Sequence, residues 1–135
     1  MSKTIVACVE DLFFRSKIEA TARHLNVPVR FTDVRGLSKT LGEAPPAALL
    51  IELTANGETV PAIRKLREAG ATRELPIVGF LSHVDRQLAH DAESAGVTRV
   101  MARSQFSETL PDLVMDLLAP GTKREIPEEP ELPDE

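Results

Sequence analysis

Apolar runs alternate with amphipathic segments along most of the chain. Five runs are apolar enough to be buried strands, at residues 4–9, 27–32, 47–53, 77–81 and 97–102. The segments that follow carry apolar residues three and four positions apart, the spacing of a helix with one buried face. This spacing predicts helices near residues 12–25, 36–43, 58–69 and 82–95, and a last helix that ends near residue 119. Such alternation predicts an α/β domain whose parallel sheet is covered on both faces.

Local signals set the ends of several predicted elements. Gly70 and Gly96 follow the third and fourth helices, where glycine is the usual C-cap. Ser82 and Asp85 have the spacing of a capping box, which predicts Ser82 as the N-cap of the fourth helix. Pro28 lies in the second strand. Because proline cannot donate a ladder hydrogen bond, this strand is predicted to lie at a sheet edge.

Composition and charge divide the chain in two. The 135 residues suffice for one domain, and its core must be aliphatic because the chain has no Trp, no Tyr and five Phe. Residues 121–135 hold six acids and two bases, so they are predicted to be a disordered, proline-rich acidic tail beyond a domain at 1–120. The domain is nearly neutral, and its small basic patch, Arg64, Lys65 and Arg67, is typical of a solvated helix face. The sequence therefore argues against nucleic-acid binding, which needs a basic surface.

The single cysteine and the lengths of the apolar runs indicate the cellular compartment. Cys8 excludes a disulfide framework and a cysteine-based zinc site, and its place within an apolar run predicts a buried thiol. No signal peptide is visible, and no apolar run approaches the roughly 18 residues of a membrane span. We therefore expect a soluble cytoplasmic protein without a membrane partner.

Carboxylates follow two of the predicted strands. Glu10 and Asp11 come directly after the first strand, and Glu52 lies near the end of the third, which is the most apolar. Ligands and chemistry gather at the carboxyl ends of parallel strands, so these acids are expected to share one sheet edge. The first strand-to-helix turn has no glycine, although a dinucleotide or P-loop site needs one for close approach to phosphate. A nucleotide-binding protein is therefore disfavoured.

Two stretches complete this pattern, residues 75–85 (LPIVGFLSHVD) and 92–97 (AESAGV). Together with the acids, they resemble the receiver domain of two-component response regulators, the CheY-like family, over about residues 4–118. The resemblance implies a (βα)5 doubly wound sheet with the flavodoxin-like strand order 2-1-3-4-5. It also implies a role in phosphorelay signal transduction.

The resemblance assigns roles to the carboxylates. Receivers bind Mg²⁺ through an acidic pair after the first strand, the position of Glu10 and Asp11. They accept a phosphoryl group on an aspartate that ends the third strand, where this chain has Glu52. Glutamate is longer by one methylene, and such a displacement is costly for in-line phosphoryl transfer. Whether the three acids still hold Mg²⁺ stays open, although the absence of a cofactor is the favoured expectation.

Three further positions differ from the family pattern. The hydroxyl residue that ends the fourth strand is Leu81 here, and Ser82 could replace it only if the register shifts by one residue. The lysine after the fifth strand corresponds to Arg103, and the aromatic switch residue corresponds to Val100. Leucine has no hydroxyl to donate to a phosphoryl oxygen. Valine cannot switch between a solvent-exposed and a buried position as the family's aromatic residue does. Arg103 keeps the charge, so it either pairs with Glu52 across the sheet edge or leaves that acid exposed.

The favoured interpretation is a degenerate stand-alone receiver, or pseudo-receiver, which is not an enzyme and acts by protein–protein binding. One alternative is an atypical receiver that is still phosphorylated, with Glu52 as acceptor, Ser82 as hydroxyl donor and Mg²⁺ as cofactor. Another is a small flavodoxin-like enzyme, which is disfavoured because no nucleophile–base pair is visible in the sequence.

The resemblance also implies a docking face, formed by the fourth helix, the fifth strand and the fifth helix. The expected partner is a kinase, another regulator, or a second copy of the chain in a homodimer. The residues expected on this face are Arg86, His90, Arg99, Met101 and Phe106.

Overall fold

The computed structural model describes residues 3–119, so the predicted acidic tail at 121–135 and the domain boundary at 120 lie outside the described residues. Strands and helices alternate as predicted. The strands are β1 (Ile5–Cys8), β2 (Val29–Thr32), β3 (Ala48–Glu52), β4 (Ile77–Leu81) and β5 (Arg99–Ala102). The helices are α1 (Leu12–His24), α2 (Leu37–Glu43), α3 (Thr59–Glu68), α4 (Arg86–Ala95) and α5 (Arg103–Leu118), with a 3-10 turn at Gly70–Thr72.

The five strands form one parallel sheet in the order β2-β1-β3-β4-β5. The edge position predicted for the proline-containing second strand is confirmed. Pro28 stands just before β2, where only its carbonyl is used, and that carbonyl accepts the N–H of Ile5. All residues of β3 are buried, as expected for a central strand covered on both faces.

Two apolar layers flank the sheet. One face packs against α2, α3 and α4, and its core includes Leu49, Ile51 and Ile63. The other face packs against α1 and α5, and its core includes Leu50 and Phe80. Alternate residues of β3 therefore enter opposite cores, which is why that strand reads as a continuous apolar run.

Three phenylalanines join α1, β4 and α5 in the second core. Phe80 stacks on Phe106 with ring centroids 4.2 Å apart, and Phe14 lies 4.7 Å from Phe80. Phe106 and Met101 are both fully buried, so placing them on a docking face is wrong. Alternation along β5 and the apolar stripe of α5 turn these two side chains inward.

The helix ends correct two sequence predictions. Asp85, not Ser82, is the N-cap of α4, and its Oδ1 accepts the N–H of Leu88 at 3.0 Å. Gly70 begins the 3-10 turn, and α3 ends with Ala69 as its C-cap. Gly96 caps α4 as predicted and has a positive φ of 116°, a conformation that glycine adopts without strain.

An arginine ties the loops together at the amino edge of the sheet. Arg67 of α3 donates from Nε to the Gly96 carbonyl and from Nη1 to the carbonyls of Thr72 and Arg73, each at 2.9 Å. Partial burial lowers the pKa of its guanidinium. Arg67 is thus a structural residue and not part of a solvated basic face. Within residues 3–119, no helix combines the length and apolar character needed to cross a bilayer.

Candidate functional site

Glu52, the last residue of β3, is the centre of the carboxyl edge of the sheet. Its side chain is only 5% exposed. Oε1 accepts two backbone hydrogen bonds from the loop between β1 and α1, from the N–H of Glu10 at 2.9 Å and from the N–H of Asp11 at 3.1 Å. The carboxylate of Glu52 therefore connects the end of β3 to the loop between β1 and α1.

The register of the sheet explains this contact. Cys8 pairs with Ile51, so Glu52 stands level with the residues that leave β1. Leu53 fixes the chain just beyond, because its N–H donates to the Phe80 carbonyl and its side chain covers Gly79. A Cβ on Gly79 would lie 2.9 Å from Leu53 Cδ1, so any larger residue there would force the Leu53 side chain to move.

The side chains of the acidic pair bond to partners other than Glu52. Asp11 is the N-cap of α1, and its Oδ1 accepts the N–H of Phe14 at 3.1 Å. Glu10 is exposed, and its Oε2 accepts the side-chain amide of Asn56 at 3.4 Å. Each of the three carboxylates thus has a separate set of partners.

This arrangement leaves Oε1 of Glu52 unavailable to Mg²⁺. The cation takes oxygen ligands, whereas the groups that surround Glu52 Oε1 are N–H donors from Glu10 and Asp11. No group of three or more His, Cys, Asp or Glu side chains in the described part of the chain could hold a metal ion.

A pair of hydroxyl groups bridges the ends of β3 and β4. The backbone N–H of Ser82 donates to Thr54 Oγ1 at 2.9 Å, and the two side-chain hydroxyls are hydrogen-bonded to each other. Leu81, one residue earlier, is buried in the core. No role was predicted for Thr54, although its place in a turn two residues after Glu52 puts it at the same edge.

Arg103, the first residue of α5, does not pair with Glu52. Its Nη1 donates to the Ser82 carbonyl at 3.1 Å, and its side chain is exposed. Among residues 3–119, no salt bridge joins Arg103 to Glu52, so the ion-pair alternative is wrong. The other alternative, an exposed acid, is wrong as well, because Glu52 is buried. The carboxylate is satisfied by backbone donors, and the arginine contacts the loop after β4. Val100, the aromatic-switch position, is buried in β5.

Burial and negative charge act together on Cys8, which ends β1 beneath the site. Removal from water, with the charges of Asp33, Glu10 and Glu52 as smaller contributions, raises the pKa of its thiol to about 12. The thiol is therefore neutral and unreactive at ordinary pH, in line with the prediction of a buried residue.

Exposed apolar side chains surround this edge, a feature that the sequence analysis missed. Leu12 and Phe13 begin α1 and are 77% and 63% exposed, and Val84 lies in the loop before α4. For Leu12 and Phe13 a sequence signal existed, because their positions do not match the helical spacing of the buried residues Phe14 and Ile18. On the predicted docking face, Arg86 and His90 are exposed, as that prediction requires.

No protein-family model matches the sequence, and no curated protein matches it. Solved structures do match. The response regulator from Hahella chejuensis gives a TM-score of 0.77 at 16% identity, covering 91% of this chain and 100% of that one. The receiver domain of a sensor histidine kinase from Pseudomonas aeruginosa, with a magnesium ion coordinated in its active site cleft, gives 0.75 at 17% identity, covering 87% and 98%. A response regulator from Thermotoga maritima gives 0.72 at 13% identity, covering 88% and 99%. The chain therefore has the receiver fold, with the predicted flavodoxin-like strand order.

Proposed function

We propose that the chain is a receiver-type signalling module that acts by binding another protein and carries no phosphoryl group. The observation that carries this proposal is the hydrogen bonding of Glu52, whose Oε1 is engaged by the backbone of Glu10 and Asp11. The residue at the acceptor position is a fixed charge that ties β3 to the loop after β1. The fold shared with response regulators supports a signalling role.

Two neighbouring positions support the absence of phosphoryl transfer. That reaction depends on cationic groups and hydrogen-bond donors placed around the transferred group, because positioning and charge stabilisation supply most of the rate. Leu81 offers no donor and points into the core. Arg103 is committed to the Ser82 carbonyl. The Ser82 hydroxyl is bonded to Thr54, and neither it nor Arg103 is hydrogen-bonded to Glu52. These contacts support a site that does not stabilise a phosphoryl group on Glu52.

The test is incubation of the full chain with Mg²⁺ and acetyl phosphate, followed by measurement of the intact mass. A parallel sample receives Mg²⁺ and beryllofluoride and is followed by amide NMR, since the chain has no Trp or Tyr for fluorescence. We expect no added mass and no change in the Glu10, Asp11 and Glu52 amide signals. A phosphorylatable response regulator treated in the same way shows that the reagents are active.

A covalent phosphate that appears on the native chain and not on Glu52→Gln would overturn the proposal. That result would establish the alternative of an atypical phosphorylated receiver. A Mg²⁺-dependent shift of the Glu10 and Asp11 signals without added mass would refute the argument that the site excludes the cation.

The partner in this proposal is a cytoplasmic signalling protein or a second copy of the chain, bound through α4, β5 and α5. With Met101 and Phe106 in the core, the side chains left to make such a face include Arg86, His90 and the half-buried Arg99. Light scattering over a range of concentrations tests the homodimer. A mass that stays monomeric throughout would remove it, and an exchange of His90 for glutamate should weaken any dimer that forms.

A further inference from the structure

A groove of about 800 Å³ lies between α2 and α3, on the face of the sheet opposite α1 and α5. Its floor is apolar: Leu37 is buried, and Val34 and Ala62 pack partly buried against the core. Its walls carry three cations, Arg35, Arg64 and Lys65, with Glu58 and Glu68 also among the lining residues. The site described above lies at the carboxyl edge of the sheet and uses none of these side chains.

The three cations of this groove lack partners within residues 3–119. No hydrogen bond or salt bridge from that part of the chain engages the side chain of Arg35, Arg64 or Lys65. Arg64 stands four residues before Glu68, the helical spacing at which an ion pair could form, yet the two are not paired. In contrast, Arg67, one turn away on the same helix, donates to three backbone carbonyls and to the Thr98 hydroxyl.

The shape of the groove favours a polypeptide over a small molecule. Sites for small molecules bury most of the ligand's surface. Here the three cations and Pro61 are exposed, so the groove is open along its length. An extended peptide could place apolar side chains on the floor and acidic side chains against the walls.

We propose that the α2–α3 groove binds the chain's own acidic segment, residues 125–135. That segment has six acids and no base, and its only apolar side chains besides proline are Ile126 and Leu132. Its charge complements the unpartnered cations, and its two aliphatic residues suit the apolar floor. The inference is independent of the phosphorylation state proposed for Glu52.

The length of the chain beyond Ala119 permits this contact. Sixteen residues follow Ala119, and fully extended they span roughly 50 Å. A domain of this size is about 35 Å across, so the segment can pass around the amino edge of the sheet from α5 to the opposite face. Tethering raises the effective concentration of such a segment to about the millimolar range, so a weak charge-assisted contact is populated.

Paramagnetic relaxation in the full chain tests the inference. Cys8 is 3% exposed and its thiol pKa is about 12, so a nitroxide maleimide at neutral pH will label only a cysteine introduced by Pro130→Cys. We expect amide signals of Ser38 and Ala62 to be broadened selectively, and the broadening to weaken in high salt because the contact is electrostatic. Equal or stronger broadening of the amides of α1 and α5 would overturn the assignment.

A charge reversal with a matched control identifies the cations. Arg64→Glu with Lys65→Glu should abolish the broadening. Arg23→Glu with Arg73→Glu, which changes the net charge equally at exposed sites outside the groove, should leave it intact. If both double variants retain the broadening, the groove cations do not bind the segment and the proposal fails.

Two further samples cover the case in which the groove variant unfolds and distinguish binding within one chain from binding between two. If the groove variant loses its dispersed amide spectrum, Glu125→Gln with Glu128→Gln and Glu129→Gln weakens the contact from the other side without touching the fold. Persistence of the broadening in that variant would overturn the proposal. A mixture of isotope-labelled chain without nitroxide and unlabelled chain with nitroxide then separates binding within one chain from binding between two, and either form supports the groove assignment.

Discussion

Replacement of Glu52 measures how much the buried carboxylate contributes to the fold of the site. In Glu52→Ala, the N–H groups of Glu10 and Asp11 lose their acceptor. Hydrogen bonds to a charged group are worth about 1.5–3 kcal/mol each, but Glu10 is exposed and Asp11 is half-buried, so water replaces part of the loss. We expect the free energy of unfolding to fall by about 2–4 kcal/mol.

Two conservative variants separate the charge of Glu52 from its reach. Glu52→Gln keeps a carbonyl oxygen at the same distance, so it should cost only about 1 kcal/mol. Glu52→Asp keeps the charge but withdraws the oxygens by about 1.5 Å, the length of one C–C bond, which takes them beyond hydrogen-bond range of the loop. We therefore expect the aspartate variant to be about as unstable as the alanine variant, in spite of its closer chemical similarity.

Urea unfolding measures the free energy of unfolding of each variant. Amide hydrogen exchange reports on the two hydrogen bonds from Glu10 and Asp11 separately. Protection of the Glu10 and Asp11 amides should fall in the alanine and aspartate variants and persist in the glutamine variant. The Leu53 amide, which donates to the Phe80 carbonyl in the sheet, reports global stability and corrects for it. Unchanged protection of the Glu10 and Asp11 amides in Glu52→Ala, after this correction, would show that the Glu52 carboxylate does not hold the loop. An aspartate variant as stable as the native chain would refute the argument from reach.

Three other perturbations test the framework that holds the site. Arg67→Lys should lower the free energy of unfolding by about 1–2 kcal/mol in urea titrations, because the single ammonium nitrogen of lysine cannot reproduce the spread of the guanidinium donors across two loops; a neutral result would contradict the bridging role. Phe106→Ala should cost about 3–5 kcal/mol and Phe13→Ala less than about 1 kcal/mol, since one ring is buried and the other exposed; equal losses would contradict this placement. Because the thiol pKa of Cys8 is raised from 9.0 in the unfolded chain to about 12, the unfolded state loses its proton first, so stability is intact below pH 9 and falls above it by up to ~1.4 kcal/mol per pH unit; the same slope in Cys8→Ala would rule the thiol out as its source.

The fold could be predicted because its signals are long-range and periodic. The apolar runs and helical stripes fall where the strands and helices form, and β4 begins and ends where predicted, at Ile77 and Leu81. The edge position of β2 follows from Pro28, since a missing N–H is tolerated only outside the ladder. These features depend on the partition of apolar surface and on backbone hydrogen bonding, which the residue types determine directly.

The helix ends were predicted less well because several residues could serve each role. Ser82 and Asp85 are both good N-caps, and the choice depends on the direction in which the chain leaves β4. The pairing of Ser82 with Thr54 removes it from the helix, and Asp85 takes the cap. That pairing joins residues that are 28 apart in sequence, so a local pattern cannot show it.

The position of the site could be predicted, but the contacts of its side chains could not. Strand order places Glu10, Glu52 and Arg103 at one edge, as the sequence analysis expected. Opposite charges at one edge made an ion pair between Glu52 and Arg103 a reasonable hypothesis. It fails because backbone N–H groups lie closer to the buried carboxylate. Every residue except proline has a backbone N–H, so the residue types do not show which one will reach the carboxylate.

The extra methylene of Glu52 gives a physical reason for the difference between this site and the pattern that the resemblance implies. An aspartate at the end of β3 would hold its carboxylate near its own strand, with an oxygen free to accept a phosphoryl group. The glutamate extends to the loop after β1, so the same charge satisfies two N–H groups there. Under the proposed function, the residues at positions 81 and 103 follow the same logic, because a site that carries no phosphoryl group needs neither a hydroxyl donor nor a free cation to bind it.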